Sequence, residues 1–478
     1  MAGHHTRAAV SGLVLLALSL GAAACSASGA RSAPGDAPPS TVPTGAATPA
    51  GAGPAPASAT ATASAPASAR PRGNPYRSNI ALGDPTADPG PDPIFARDAD
   101  LRRTGTYTYR FTKPGDHKLA NGTYTLQYDV TSRTLKAELA GRRAKMTSAT
   151  GIALYLTGGT ALADADLAAL QTAGRDLELP KLSRLYVYNL RTIQAGRECT
   201  PDSGLTCAGE TARGGLFPYL WLNGWWDTWV EDLILDDLIA VPDGAFSNHT
   251  FAGVSMRSVR SIGVMGFGHA PRATWNVLYL PNVRTVAHDG FRRNQGFVKI
   301  VLPQVITIDD YGFDDATSLR YFNAPRLKRL GRNALNDSGA LVSVNFPKLE
   351  YMGINSINGV WTGLRLPALT TVDKSAISNS GTLRWLYAPR LTDLRDDAIV
   401  NNAQLRAVYL GNAARFNTRA LAGNPQLRQI VLGSRPPQQK ADVFLGTGRA
   451  TIFHTGSAAA WTGFTPSGNP SLPVRAWS

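Results

Sequence analysis

Apolar residues recur through the middle and later parts of the chain in a fixed pattern. Each unit reads apolar-x-x-apolar-x-apolar-Pro-x-apolar-x-x-apolar, followed by a small and then a large apolar residue. Clear copies are FVKIVLPQVITIDDYGF (297–313), LRYFNAPRLKRLGRNAL (319–335), LVSVNFPKLEYMGINSI (341–357) and LRWLYAPRLTDLRDDAI (383–399). The alternating stretch is typical of a short strand, and proline ends the strand because it has no N–H to donate. The pattern therefore predicts one short strand and a return segment in each unit.

Two positions of the unit keep their register over many copies. The proline falls at 281, 303, 325, 347, 367 and 389, and Gly411 and Gly433 continue the same slot. The small–large pair occurs nine times: Ala245-Phe246, Gly266-Phe267, Gly290-Phe291, Gly312-Phe313, Ala334-Leu335, Ser356-Ile357, Ala376-Ile377, Ala398-Ile399 and Ala420-Leu421. One such unit cannot bury its apolar side alone, whereas stacked units share a continuous core. We therefore predict a β-rich repeat solenoid over residues 151–433, with short strands and turns or short helices in each unit.

The unit resembles the BspA-like leucine-rich repeats of bacterial surface proteins. The resemblance covers residues 182–433, although the buried Asn or Cys that more familiar leucine-rich repeats carry after the strand is missing. The stretch RATIFHTGSAAAWTGF (449–464) is similar to the strand-and-helix cap that ends such arrays, so residues 434–478 are expected to form a C-terminal cap. The resemblance implies a cell-surface location and adhesion or protein binding, without naming a partner.

Residues 79–150 have a different pattern. The segments at 106–112, 123–130 and 134–139 alternate apolar with polar residues, and turn-forming residues separate the first two. We expect a small antiparallel β-meander here that acts as an N-terminal cap of the solenoid.

The first 25 residues have the features of a secretory signal. An apolar run at 8–24 ends in Ala22-Ala23-Ala24-Cys25, which resembles a bacterial lipobox and implies lipidation of Cys25. A plain signal peptide, which would leave a secreted protein, is the alternative. Residues 26–78 are rich in Ala, Pro, Ser, Thr and Gly, so they are predicted to be a disordered stalk.

Cys199 and Cys207 lie in an insert at about 197–229. In an oxidising compartment they are expected to form a local disulfide, since no further metal ligands lie nearby and the spacing is wider than C-x-x-C. Trp225, Trp226 and Trp229 in this insert are interpreted as packing residues rather than a ligand cage.

The formal net charge of +14 indicates attraction to anionic partners, or only the arginine-rich composition of a GC-rich genome. No block of basic residues suggests a nucleic-acid arm. The chain has no catalytic motif, and the pairs Asp309-Asp310, Asp314-Asp315 and Asp396-Asp397 are interpreted as loop acids and turn caps. His249, His269 and His288 occupy different slots of the unit. We therefore predict no enzyme activity, no metal and no cofactor.

The outward positions of the strands are the candidate binding face. One outward column reads Tyr186, Ile234, Ser255, Tyr279, Val301, Asn323, Asn345, Arg365, Tyr387, Tyr409 and Val431, and the next includes Lys299, Tyr321, Ser343, Trp385 and Gln429. Arg365, Trp385, Tyr387, Tyr409 and Tyr321 are expected to cluster, and Arg320, Arg384, Arg406 and Arg428 form a basic column at repeat spacing. These residue types dominate binding hot spots, although aromatic residues also favour strands for structural reasons.

These observations predict a non-enzymatic surface protein that presents this face to a protein or glycan partner and is held at the membrane by its N-terminal lipid. The alternative is a structural envelope protein that binds anionic wall polymer through its basic surface. An enzyme with its chemistry in the N-terminal β region is the least favoured hypothesis.

Overall fold

A computed structural model describes residues 116–119, 122–193, 230–247, 251, 253–270 and 276–477. All of these residues belong to one unit, Arg70–Ser478. The predicted signal segment with Cys25, the predicted stalk, the strand expected at 106–112 and the insert with Cys199 and Cys207 lie outside the described residues.

The described part begins with strands and helices in alternation. The elements are β1 (His117–Lys118), β2 (Thr123–Asp129), α1 (Leu135–Met146), β3 (Gly151–Thr157), α2 (Asp164–Asp176) and β4 (Arg184–Tyr188). Strand β1 pairs antiparallel with β2, whereas β2, β3 and β4 are parallel neighbours. The two helices provide the crossovers that parallel pairing requires.

The strand predicted at 134–139 is wrong, because this segment forms the first half of α1. Leu135, Leu139 and Met146 are buried along one side of this helix. Leucines four residues apart satisfy the helical period as well as the period of two, so the alternation alone was ambiguous. The strand expected at 123–130 is present as β2. Among the described residues it pairs antiparallel with β1, which was not expected, and it joins the parallel sheet that continues into the solenoid.

From β4 onward, most turns of the solenoid contribute one front strand and one two-residue back strand. The further front strands are β5 (Asp232–Ile234), β7 (Gly253–Ser255), β9 (Asn276–Tyr279), β11 (Phe297–Val301), β13 (Tyr321–Asn323), β15 (Ser343–Asn345), β17 (Gly363–Arg365), β19 (Trp385–Tyr387), β21 (Ala407–Gly411), β23 (Gln429–Leu432) and β25 (Thr451–His454). The back strands are β6 (Ala240–Val241), β8 (Ser261–Ile262), β10 (Thr285–Val286), β12 (Thr307–Ile308), β14 (Arg329–Leu330), β16 (Tyr351–Met352), β18 (Thr371–Val372), β20 (Asp393–Leu394), β22 (Arg415–Phe416) and β24 (Gln438–Gln439). The predicted solenoid is thereby confirmed.

The two sides of the solenoid differ in continuity. The back strands form one ten-stranded parallel sheet, whereas the front strands form three sheets that run from β1 to β7, from β9 to β15 and from β17 to β26 (Val474–Ala476). The break between β15 and β17 falls in the shortest unit, between Pro347 and Pro367. Here Trp361 is buried with its indole ring against Gly359, where any Cβ would overlap the ring.

The small–large pair builds the third side of each turn. Phe246, Phe267, Phe291 and Phe313 are buried and stack in sequence, with ring centroids 5.2, 5.1 and 4.7 Å apart. A Cβ at Gly290 would lie 2.6 Å from Cγ1 of Val286. The preceding small residue is therefore needed for close approach, as its position in the pattern indicated.

The return segment is a turn rather than a helix. Eight of the nine small–large pairs follow a non-glycine residue with a left-handed backbone: Met265, Asp289, Tyr311, Asn333, Asn355, Ser375, Asp397 and Arg419. Gly244 has this conformation before the remaining pair, and Asp442 has it before Val443-Phe444. Asn and Asp adopt this conformation more readily than most residues, and their frequency in the slot reflects this preference. A left-handed residue ends any helical run, so each of these units closes tightly.

Buried asparagines follow the small–large pair in several turns. The side-chain amides of Asn294, Asn402 and Asn424 donate to the carbonyls of Phe267, Ile377 and Ile399 at 2.6, 3.1 and 2.8 Å. More familiar leucine-rich repeats have a buried Asn directly after the strand, and this repeat has none at that position. The structure provides an equivalent ladder at a different position of the unit.

The C-terminal end closes with β25, a 3₁₀ helix at Ala458–Trp461 and β26. His454 is buried and stacks on Trp461 with ring centroids 4.7 Å apart. Strand β26 pairs in parallel with β25, so it extends the front sheet beyond the repeats that the pattern had identified.

Candidate binding face

The front face consists of the outward side chains of the front strands. Eleven residues were expected to be exposed in its main column, but six of them are buried: Tyr186, Ile234, Ser255, Val301, Asn323 and Val431. Parallel strands lie about 4.8 Å apart, so neighbouring outward side chains cover one another. Tyr279, Asn345, Arg365, Tyr387 and Tyr409 are half-buried, and the last three lie on successive strands.

Strands β17, β19 and β21 bring four of the predicted site residues together. Arg365 pairs in register with Tyr387, and Tyr387 pairs with Tyr409. The two tyrosine rings lie 5.2 Å apart between centroids, inclined at 34°. Trp385 lies beside them, and its indole ring crosses Gly363, where any Cβ would overlap the ring. This arrangement holds the indole flat against the sheet.

Tyr321 is not part of this cluster. It lies on β13 between Lys299 and Ser343, in the front sheet that ends at β15. The short unit interrupts the front sheet between β15 and β17, so Tyr321 and Trp385 occupy different sheets. The expected clustering of Tyr321 with Trp385 is therefore wrong.

An arginine row runs beside the cluster, formed by Arg384, Arg406 and Arg428. The backbone N–H of Arg406 donates to the carbonyl of Arg384 at 2.8 Å, and that of Arg428 to the carbonyl of Arg406 at 2.9 Å. All three side chains are exposed. Within the described part of the chain, none of the three forms an ion pair with a carboxylate. Arg320 is also exposed, but it lies in the other front sheet.

The C-terminal strands add residues that sequence reasoning missed. Val431 pairs with Phe453, and Phe453 pairs with Arg475 on β26. Phe453 also contacts Trp477 edge to face, with ring centroids 5.0 Å apart. Phe453 and Arg475 follow Val431 at the 22-residue spacing, so the repeat itself could have identified them. We call Arg365, Tyr387, Tyr409, Val431, Phe453 and Arg475 the aromatic row.

Acidic residues are absent from the front strands of this region and frequent on the back. Segments 361–367, 383–389, 405–411, 427–433, 449–456 and 473–477 contain neither Asp nor Glu. On the back, Arg395 pairs with Asp373 at 3.1 Å, Arg415 with Asp393 at 3.6 Å and Arg419 with Asp397 at 3.0 Å. The two sides therefore differ in charge: the back is largely neutralised and the front is basic.

Aspartates of the acid pairs noted in the sequence form hydrogen bonds and ion pairs between consecutive turns. Asp310 accepts the backbone N–H of Arg332 at 2.7 Å, and Asp396 accepts that of Thr418 at 2.9 Å, each one repeat further along. Asp314 is buried and paired with Arg292 at 3.1 Å, yet burial raises the pKa of its carboxyl. These contacts connect consecutive turns, as expected for turn caps.

One half-buried histidine, His269, also has a shifted pKa. Burial, aided by Arg293 and Arg292, lowers the pKa of His269 to about 4. Among the described residues, no three His, Cys, Asp or Glu side chains are close enough to hold a metal ion. The described helices include none that is long and apolar enough to cross a membrane.

Comparison with known proteins identifies the repeat. A family model for the BspA type leucine rich repeat region matches this chain in six copies, at residues 239–360 and 284–405. No curated protein sequence matches the chain. Residues 239–405 therefore match the BspA-type leucine-rich-repeat family, and the fold of the described chain is that of a repeat solenoid.

Several solved structures are similar to this chain at low sequence identity. A leucine rich cell surface protein from Faecalibacterium prausnitzii A2-165 is 12% identical, with a TM-score of 0.29 over 74% of this chain and 84% of that protein. A leucine-rich repeat protein from Bacteroides ovatus ATCC 8483 is 15% identical, with a TM-score of 0.24 over 42% and 69%. The pneumococcal vaccine antigen PcpA is 10% identical, with a TM-score of 0.29 over 69% and 80%.

Proposed function

We propose that this chain is a non-enzymatic binding or adhesion protein of the cell surface, which presents the front face of β17–β25 to a protein or glycan partner. The observation that carries this proposal is the contiguous group of Arg365, Trp385, Tyr387 and Tyr409 on three neighbouring strands. Tyr, Trp and Arg combine flat apolar area with polar groups and dominate binding hot spots. A solenoid also holds such a group rigidly, because β19 and β21 are each paired on both sides and β17 is paired with β19.

Surface display is the second part of the proposal. The apolar run at 8–24 followed by Cys25 supports export and lipid anchoring, and the Ala/Pro/Ser/Thr-rich segment 26–78 supports a stalk that lifts the solenoid from the membrane. A disulfide between Cys199 and Cys207 fits the same oxidising compartment. Replacing Cys25 with Ser should release the protein into the medium if the lipid anchors it, and should leave its location unchanged if the chain is secreted.

The alternative function is structural. The arginine row and the net charge of +14 support electrostatic attachment to an anionic wall polymer. Salt separates the two functions, because purely electrostatic attachment weakens as the Debye length falls from about 8 Å at 0.15 M salt to about 3 Å at 1 M. Contacts made by buried aromatic area do not weaken in this way.

The test is adhesion of cells that display the full-length chain. Trp385→Ala with Tyr387→Ala should abolish adhesion to immobilised envelope and host-surface fractions, whereas Tyr311→Ala with Tyr351→Ala, on the other sides of the solenoid, should preserve it. Far-UV circular dichroism and thermal unfolding confirm that both variants fold. Adhesion that survives the front substitutions would contradict the binding face. Adhesion that ignores them and disappears in high salt would support the structural alternative.

A further inference from the structure

The arginine row and the aromatic row run side by side along the solenoid axis. Arg384, for example, lies immediately before β19 and is three residues from Tyr387, or about 10 Å at the usual strand rise. Trp385, Ala407, Gln429 and Thr451 lie between the two rows in successive, paired strands. Together these residues form a strip with positive charge along one margin and aromatic rings along the other.

The charge of the arginine row is available to a ligand. The front segments that form the strip contain no acidic residue, and the arginine row has no carboxylate partner among the described residues. The back arginines of the same turns, Arg395, Arg415 and Arg419, are paired with aspartates of the same or a preceding turn. The contrast within single turns indicates that the front charge is not needed to balance acids of the solenoid itself.

The regular spacing of the arginine row indicates what kind of anionic ligand would fit it. Backbone hydrogen bonds connect Arg384, Arg406 and Arg428, each immediately before its front strand, so one arginine backbone recurs at about every 4.8 Å. Arginine recognises carboxylate with two parallel hydrogen bonds. A regular row of such groups is complementary to a linear polymer whose own negative charge recurs from unit to unit. A folded protein partner would present its carboxylates at irregular positions.

The aromatic row narrows the choice among linear polyanions. The rings of Tyr387 and Tyr409 lie 5.2 Å apart, and Phe453 continues the row with Trp477 beside it. Aromatic faces pack against the C–H faces of sugar rings, whereas a polyol-phosphate chain has no ring to offer them. Arg365 and Arg475 at the two ends of the row add charge.

From this geometry we propose that the strip binds an acidic polysaccharide, a linear chain of carboxylate-bearing sugar rings that lies along the solenoid axis. The arginine row pairs with the carboxylates, and the aromatic row packs against the sugar rings. This inference rests on the proposed binding function and assigns a ligand class to the same face.

The experiment measures binding of polygalacturonate to the full-length protein by isothermal titration calorimetry. Fully methyl-esterified polygalacturonate has the same backbone without charge, and polyphosphate and polyglutamate have charge without sugar rings. Arg384→Gln, Arg406→Gln and Arg428→Gln together should weaken polygalacturonate binding about tenfold, since each exposed pair contributes about two- to threefold. Arg395→Gln, Arg415→Gln and Arg419→Gln, which remove the same charge from the back, should change binding by less than about twofold.

The tyrosines distinguish the sugar from the charge. Tyr387→Ala with Tyr409→Ala should weaken polygalacturonate binding and leave any polyphosphate or polyglutamate binding unchanged. Equal binding of the methyl ester, or equal losses from the front and back arginine variants, would overturn the inference. Polyphosphate or polyglutamate binding as tight as polygalacturonate binding would overturn it as well, in favour of a general polyanion site.

The two proposals can fail separately. If polygalacturonate does not bind while Trp385→Ala with Tyr387→Ala still abolishes cell adhesion, the acidic polysaccharide is wrong and the binding face stands. If adhesion survives that double substitution while polygalacturonate binds as expected, the adhesion function is wrong and the polysaccharide site stands.

Discussion

Replacing Phe291 with alanine tests how much the phenylalanine stack contributes to stability. The side chain is fully buried and lies between Phe267 and Phe313, with ring centroids at 5.1 and 4.7 Å. Burial of such a side chain stabilises by about 1.5–3 kcal/mol, and each stacked pair adds about 0.5–1.5 kcal/mol. We therefore expect Phe291→Ala to lower the free energy of unfolding by about 3–5 kcal/mol, the range found when buried phenylalanines are truncated.

Phe291→Leu is the matched control, because Leu335 and Leu421 occupy the same slot in other turns. It keeps most of the buried volume and should cost about 1–2 kcal/mol. Urea unfolding gives both values, with the slope of the transition checked for unchanged exposed area.

Amide hydrogen exchange shows which turns Phe291→Ala destabilises. Each turn packs on its neighbours alone, so the loss of protection should be greatest in the turns of Phe267 and Phe313 and small near Leu421. A loss for Phe291→Ala below about 1 kcal/mol, or equal losses for the two variants, would refute the argument from stacking. A uniform loss of protection along the chain would refute the locality of the solenoid.

Three further substitutions test other parts of the fold. Leu341→Ala, in a fully buried slot, should cost about 2–5 kcal/mol in urea unfolding, and a cost below about 1 kcal/mol would contradict its place in the shared core. Gly411→Ala should lower the melting temperature sharply, because Gly411 has a φ of 55° and a Cβ there would collide with the carbonyl of Pro389, whereas Gly339→Ala, with open space around it, should have little effect. His269→Asn should flatten the dependence of stability on pH. The pKa of His269 falls from 6.5 in the unfolded chain to about 4 in the folded chain. The neutral imidazole therefore contributes its full share of folding stability above pH 6.5, and this share is lost as the pH falls to about 4. We expect this loss to be about 1–2 kcal/mol after allowance for solvent, and an unchanged slope in the variant would contradict it.

The repeat spacing predicted the neighbours on the front face correctly. Arg365, Tyr387 and Tyr409 are 22 residues apart, and the structure pairs them in register on adjacent strands. The same arithmetic leads from Val431 to Phe453 and Arg475, which were missed only because the pattern was not followed into the C-terminal cap. Spacing succeeds here because equal repeats place equivalent residues one above another.

The wrong predictions concern exposure, clustering and secondary structure, which the repeat spacing alone does not determine. Val431 and Tyr409 occupy the same slot, yet Val431 is fully buried and Tyr409 is half-buried, because burial depends on the side chains of neighbouring strands. Tyr321 was grouped with Trp385 because the pattern does not reveal that the shorter unit between Pro347 and Pro367 ends one front sheet. The segment 134–139 fits both a strand and a helix. It forms a helix because this places both Leu135 and Leu139 in the hydrophobic core.

The sequence by itself determined the solenoid, its register and the identity of the residues in each column. These follow from a pattern of about 22 residues that is local to each turn, since each turn packs mainly on the next. Only the tertiary structure decided which columns remain accessible, that the back arginines are paired while the arginine row is not, and that Tyr321 lies in a separate sheet. Each of these depends on atoms of two or three successive turns meeting in space, and no single repeat contains that information.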